Sequence, residues 1–193
     1  MVKVPLLLAS AVAALVIPGI ASADLVFNGG FETGDFTGWI LSGNPIAGTV
    51  DTANPHSGSY AADLIAAGSP TFMAQSLTTT SGTKYDLTYF LDVSSDSTGG
   101  PVEFIAQVNG VTVFDQKDIP PQPYTGYSFP FLATGTSTDL KFGFRNDPGS
   151  FFLDDVSVAA VPEPSSVWLG FLGTAFAIVA ICRRQQADTE PRS

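Results

Sequence analysis

The chain predicts an all-β sandwich enclosed by two terminal targeting segments. Short runs rich in Val, Ile, Phe, Tyr and Thr recur along residues 24–160, and Gly, Pro, Asn and Asp punctuate them about every ten residues. No comparable 3.6-residue apolar period occurs in this body. The body is also long enough, as one domain, to bury roughly two thirds of its unfolded surface.

In chain order, the strand-like runs are Trp39 to Leu41, Ser59 to Ala66, Thr71 to Thr78, Thr83 to Val93, Val102 to Val108, Val111 to Phe114, Thr125 to Ala133, Thr138 to Asn146 and Phe151 to Val158. Within the fourth run, Tyr85, Leu87, Tyr89 and Leu91 alternate with Asp86, Thr88 and Phe90, so one face is apolar and the other mixed. Asn109-Gly110 stands between apolar runs and predicts a tight hairpin, because both residues accept positive φ. Pro120-Pro121-Gln122-Pro123-Tyr124 is too proline-rich for a central strand and reads as a connecting loop. Trp39, in a Gly-Asp-Phe-Thr-Gly-Trp context, reads as core.

The N-terminus carries Lys3, a mostly apolar stretch from Val4 to Ile20, and the small-residue tripeptide Ala21-Ser22-Ala23. This is the pattern of a secretory signal helix cleaved after Ala23. At the other end, sixteen uncharged residues, Val167 to Cys182, precede Arg183-Arg184. As a helix they rise about 24 Å against a hydrocarbon core of ~30 Å, so they span a membrane if the arginines snorkel at one interface. The basic pair places the last residues in the cytoplasm and the body outside.

Charge excludes one class of partner. The body holds fifteen acids against Lys84, Lys117, Lys141 and Arg145, a net of −11. Such a surface repels phosphate backbones, so no nucleic acid is expected. Catalytic inventory is thin: His56 is the only histidine, the only cysteine, Cys182, lies in the C-terminal span, and no Gly-x-Ser-x-Gly elbow, zinc set or phosphate loop occurs. No enzyme is expected.

Val161-Pro162-Glu163-Pro164, the apolar span and Arg183-Arg184 together resemble the PEP-CTERM sorting signal. The resemblance covers about residues 161–186 and implies processing by the membrane protease exosortase, through an inner-membrane intermediate, then release to the surface or to exopolysaccharide of a Gram-negative bacterium. The chain thus divides into a signal peptide (1–23), an ectodomain (24–160), the sorting signal with its transmembrane helix (161–186) and a cytoplasmic tail (187–193). Within the ectodomain, Leu25-Val26-Phe27-Asn28-Gly29-Gly30-Phe31-Glu32, His56-Ser57-Gly58-Ser59-Tyr60, Tyr127-Ser128-Phe129 and Phe152-Leu153-Asp154-Asp155-Val156 stand in the order seen in the galactose-binding-like jelly roll of many carbohydrate-binding modules.

That resemblance implies that the first and last strands lie close, bringing Glu32 near Asp154 and Asp155 as a structural calcium site. Strand parity puts Phe152, Asp154, Val156 and Val158 on one face, which the valines mark as the core, so Asp154 is the preferred ligand and Asp155 the reserve. The alternative is that the aspartates satisfy turn amides and Glu32 is surface. Tyr124 and Tyr127, beside the proline-rich loop, are the exposed aromatic candidates for a ligand. Two functions follow: a non-catalytic matrix or adhesion protein of the cell surface or biofilm, or a carbohydrate-binding module for an extracellular polysaccharide.

Overall fold

The computed structural model describes residues 22–43, 48–94, 96 and 99–162. Ala21, Glu163, Pro164, Arg183 and Arg184, with both expected terminal helices, lie outside the described residues. Among the described residues no helix is long and apolar enough to cross a membrane.

Eight strands form the body: β1 (Ile40–Gly43), β2 (Gly48–Asp51), β3 (Ala61–Thr78), β4 (Lys84–Val93), β5 (Val102–Val108), β6 (Val111–Lys117), β7 (Gln122–Leu132) and β8 (Ser137–Ala160). All pairings are antiparallel. The strand at Gly48–Asp51 has no counterpart in the sequence reading, because four residues without a strong apolar signal become a strand only by pairing with Asp63 and its neighbours. The proline-rich segment is likewise corrected. Gln122–Tyr124 begins β7, and Pro123 is tolerated because β7 is an edge strand whose register slips beside it, between Leu91 and Val93 of the partner.

The two longest strands each join a pair of predicted runs. At 18 and 24 residues, β3 and β8 far exceed the usual strand length because each passes through both layers. The first half of β8 lies between β3 and β5, and its second half between β3 and β4. One layer, sheet I, therefore runs β1, β3 (71–78), β8 (137–146), β5, β6. The other, sheet II, runs β2, β3 (61–66), β8 (151–160), β4, β7. Both strands turn the corner together: the Asp147 carboxylate accepts the Gly68 amide at 2.9 Å and pairs with Arg145 at 2.9 Å.

Between the layers lies an aromatic core. Tyr89 on sheet II meets Phe142 edge-on at 5.2 Å and Phe104 at 5.9 Å, both on sheet I. Tyr85, Leu87, Tyr89 and Leu91 are all buried, as their alternation requires. Burying such rings contributes roughly 1.5–3 kcal/mol each, and Trp39 joins them, stacked on Phe31 with its indole N–H donating to Asn28 O at 3.1 Å. The Asn109-Gly110 hairpin forms as expected, with φ of 49° and 74°.

Candidate functional site

Asp154 reaches its buried position by a route that parity does not describe. Phe151 and Leu153 point into the core, but Asp155 adopts φ 49° and the pairing with β4 slips between Thr88 and Phe90. This bulge reverses the phase, so Val156 and Val158 also face inward while Asp154 lies on the outer side of sheet II. Asp154 is nevertheless fully buried, because the 56–60 segment is laid over it. Its Oδ2 accepts the amides of His56 at 2.9 Å and Ser57 at 3.1 Å, and Oδ1 accepts that of Asp155.

Two further carboxylates hold the same segment. Asp155 accepts from Ser57 Oγ and meets His56 Nδ1, both at 2.7 Å, and Glu32 Oε1 accepts the amides of Ser59 at 2.8 Å and Tyr60 at 3.0 Å. Gly58 is required between them: its φ is +61°, and a Cβ there would stand 2.2 Å from Glu32 Oε1. The N-terminal strand-like segment runs alongside, Leu25 N donating to Val158 O and Val156 N to Gly29 O. Burial pushes the Asp154 carboxyl above its ordinary range, against the lowering pull of the Ser57 and Asp155 amides, and the Asp155 charge adds to the rise.

Glu32, Asp154 and Asp155, which the resemblance groups, all hold the 56–60 segment, Asp154 and Glu32 through its amides and Asp155 through the Ser57 hydroxyl and the His56 ring. Among the described residues no three His, Cys, Asp or Glu side chains form a group that could hold a metal unaided. Calcium chemistry fits the donor set in kind, since every candidate atom is a hard oxygen. It also fits in charge, because among the described residues no Lys or Arg pairs with these acids. Five amide contacts already occupy Asp154 and Glu32, so main-chain carbonyls would have to complete any cation shell.

His56 is packed over the outer face of sheet II, stacked on Phe90 with ring centroids 3.7 Å apart and tilted against Tyr124. Tyr124 is half-buried, and its hydroxyl donates to Asn54 O at 2.6 Å. Burial, then the charges of Asp154, Asp92, Asp155 and Asp51, push that hydroxyl upward. Tyr127 sits on the opposite side of β7. It stacks between Tyr89 and Phe129, against the edge of Phe114, and so packs the sandwich interior rather than presenting a ring to solvent.

Sheet I carries an outer face that the sequence reading missed. Ser42, Phe72, Gly143, Ile105 and Asp115 are successive register partners across all five strands. Gly143 leaves a hollow in the middle of this row, and the Phe72 ring lies across it, where a Cβ on residue 143 would be 2.7 Å from Phe72 Cε1. The Lys141 ammonium sits 4.0 Å from the ring centroid. Rows on either side supply Gln107, and Arg145 beside Glu103, which pairs with Lys117 at 3.3 Å. Three of the four body cations therefore lie on one face. Its chemistry is that of a shallow apolar patch ringed by hydrogen-bond donors and acceptors. The signal in the sequence was a phenylalanine alternating with Ala74 and Ser76 on the polar side of its strand.

The family described as "Carbohydrate binding domain" (CBM_4_9) matches residues 23–150. No curated protein sequence matches the chain. Among solved structures, TmCBM61 in complex with β-1,4-galactotriose aligns over 72% of this chain and 100% of its own, at 19% identity and a TM-score of 0.59. The CBM22-1 xylan-binding domain of Paenibacillus barcinonensis Xyn10C aligns over 74% and 97%, at 16% identity and a TM-score of 0.57. The cleaved K3 adhesin domain of Lys-gingipain from Porphyromonas gingivalis aligns over 71% and 98%, at 14% identity and a TM-score of 0.54. At these identities the structures establish the shared fold, whereas the family match bears on function. Of the two functions the sequence leaves open, that match favours the binding module over the matrix role.

Proposed function

The chain belongs to the carbohydrate-binding domain family, and from that premise we propose that it is a non-catalytic module that binds an extracellular polysaccharide through the outer face of sheet I. The observation that carries this reading is the Phe72 ring set in the hollow above Gly143, with Lys141, Gln107, Arg145 and Glu103 around it. An aromatic ring offers a platform to the C–H face of a sugar, and the flanking groups meet its hydroxyls. Lys141 moves aside, or bonds a hydroxyl, as the sugar takes its place over the ring.

Binding is tested by affinity electrophoresis and titration calorimetry on soluble galactan, xylan and glucan. Phe72→Ala weakens binding at least tenfold while leaving the melting temperature within a few degrees. Equal affinity of variant and parent, or no binding to any of these polymers, overturns the assignment.

Export and sorting belong to the same proposal. The order Val161-Pro162-Glu163-Pro164, apolar span, Arg183-Arg184 supports delivery by exosortase to the surface or the exopolysaccharide, which places the module beside its ligand. The carboxylate cluster supports a structural calcium, with Glu32 Oε2, Asp154 and Asp155 as side-chain ligands, completed by nearby main-chain carbonyls. A divalent cation there would offset the mutual repulsion of three acids.

A further inference from the structure

The outer face of sheet II has a cleft of its own, on the layer opposite Phe72. It is a shallow hollow of about 550 Å³, open to solvent and lined by Asn54, Asp92, Gln122, Pro121, Pro123 and Phe152, among others.

Strand register sets the chemistry of its floor. Phe152 on β8 is the direct partner of Asp63 on β3 and of Asp92 on β4. Direct partners project from the same face, so one aromatic ring is flanked on both sides by a carboxylate, each about one strand spacing, ~4.8 Å, away. Asp63 lies beside the cleft rather than in its lining: its carboxylate takes a hydrogen bond from Ser150, and its buried Oδ1 has no hydrogen-bond partner among the described residues. Asp92 is engaged by the Asn54 side chain, and burial holds both carboxyls above their ordinary range. The rest of this face is already filled: His56 covers Phe90, and Tyr124 closes the side toward β7. The cleft is thus a shallow, solvent-open stretch of the sheet beside these two rings.

We infer that this cleft is a second carbohydrate site, which seats a sugar ring on Phe152 and accepts a hydroxyl proton at Asp92. The ligand class follows from charge. Asp92 stands in the lining, Asp51 and Asp96 act on Asp63 beside it, and among the described residues no Lys or Arg lines the cleft, so uronate, sulfate and phosphate groups are repelled. A neutral, hydroxyl-rich chain adds a donor to Asp92 beside the Asn54 side chain without bringing a like charge. The inference rests on the carbohydrate-binding reading of the family and extends it. With one site on each outer face, a single module bridges two polysaccharide strands, and the adhesion role that the sequence suggests follows from bivalency rather than from a separate activity.

The experiment is calorimetric titration with β-1,4-linked galacto-, xylo- and gluco-hexaoses, run alongside turbidity with the corresponding long polymers. The parent protein is expected to bind two hexaoses per chain and to cross-link polymer. Phe152→Ala and Asp92→Asn, both at half-buried positions, each reduce the stoichiometry to one and abolish turbidity while the chain stays folded by circular dichroism at neutral pH. Phe72→Ala does the same through the other face. A stoichiometry of one that Phe72→Ala abolishes and Phe152→Ala leaves unchanged overturns this inference and preserves the sheet I reading. A single site that Phe152→Ala abolishes and Phe72→Ala spares removes the sheet I reading and the bivalency with it. Binding of none of the hexaoses overturns both.

Discussion

Asp154 shows how much one side chain organises. It accepts three amides from two separate segments, and its replacement by alanine leaves them without an acceptor under a closed loop. Each orphaned buried amide costs about 1–3 kcal/mol, so Asp154→Ala is expected to lose about 3 kcal/mol or more in urea unfolding. Asp154→Asn keeps an acceptor oxygen and loses less. Equal losses in the two variants would show that charge, not amide capture, is what the position supplies. Asp63 and Asp92 make a second prediction, on pH. Burial raises both above 3.8, so the folded chain binds protons more tightly than the unfolded chain in the window just above that value. Stability therefore rises as pH falls through this window. Asp147 and Asp35 are held below 3.8, chiefly by hydrogen bonds from Gly68 and Thr37, so what they contribute is lost at still lower pH. Melting temperature against pH should show a maximum on the acid side of neutrality, and Asp92→Asn should flatten the fall on the high-pH side of that maximum.

Among the elements, the β5–β6 hairpin and the two corner-turning strands differ in how local their causes are. The hairpin is written into two residues: Gly110 at φ 74° carries the left-handed turn, and Asn109 Oδ1 also accepts the Asp139 amide at 2.9 Å, tying the turn to β8. Gly110→Val is expected to cost about 1–2 kcal/mol in denaturant unfolding, the penalty of a β-branched residue in that region, with the binding faces unchanged. A neutral result would mean that the loop has shifted to another turn type. Gly143 is a contact rather than a conformational requirement. Gly143→Ala should push the Phe72 ring off its seat and weaken sugar binding severalfold, with only a small change in stability. By contrast β3 and β8 were legible as four separate runs. Nothing in a run states that it continues through a bend into a second sheet, because continuity there depends on which strands pair on either side.

At the scale of the whole molecule, the two ends of the body leave it side by side. Val158 N donates to Asp24 Oδ1, and Ala160 N to Ser22 Oγ, so cleavage after Ala23 removes only the second of these contacts. On the C-terminal side, Val161 N donates to Lys84 O, the last contact of this kind before Glu163. Deleting residues 161–193 should accordingly leave a folded, sugar-binding body that is no longer retained at its destination, read by circular dichroism and cell fractionation. An aggregated product, or normal surface display, would contradict that division. Calcium is tested on the same intact body: excess EDTA should lower the melting temperature by several degrees and calcium should restore it, while an unchanged melt removes the metal.

By itself the sequence determined the all-β class, the apolar faces, the Asn-Gly turn and the core role of Trp39, because each follows from short-range periodicity or a local motif. Tertiary structure alone decided where the outer faces point their functional groups. A bulge at Asp155 reversed strand parity, Tyr127 turned inward against Tyr89, and Phe72 and Phe152 emerged as the centres of two opposite faces. The physical reason is register: which residues stand beside a ring is set by pairing between strands far apart in the chain, and one slipped residue exchanges inside for outside.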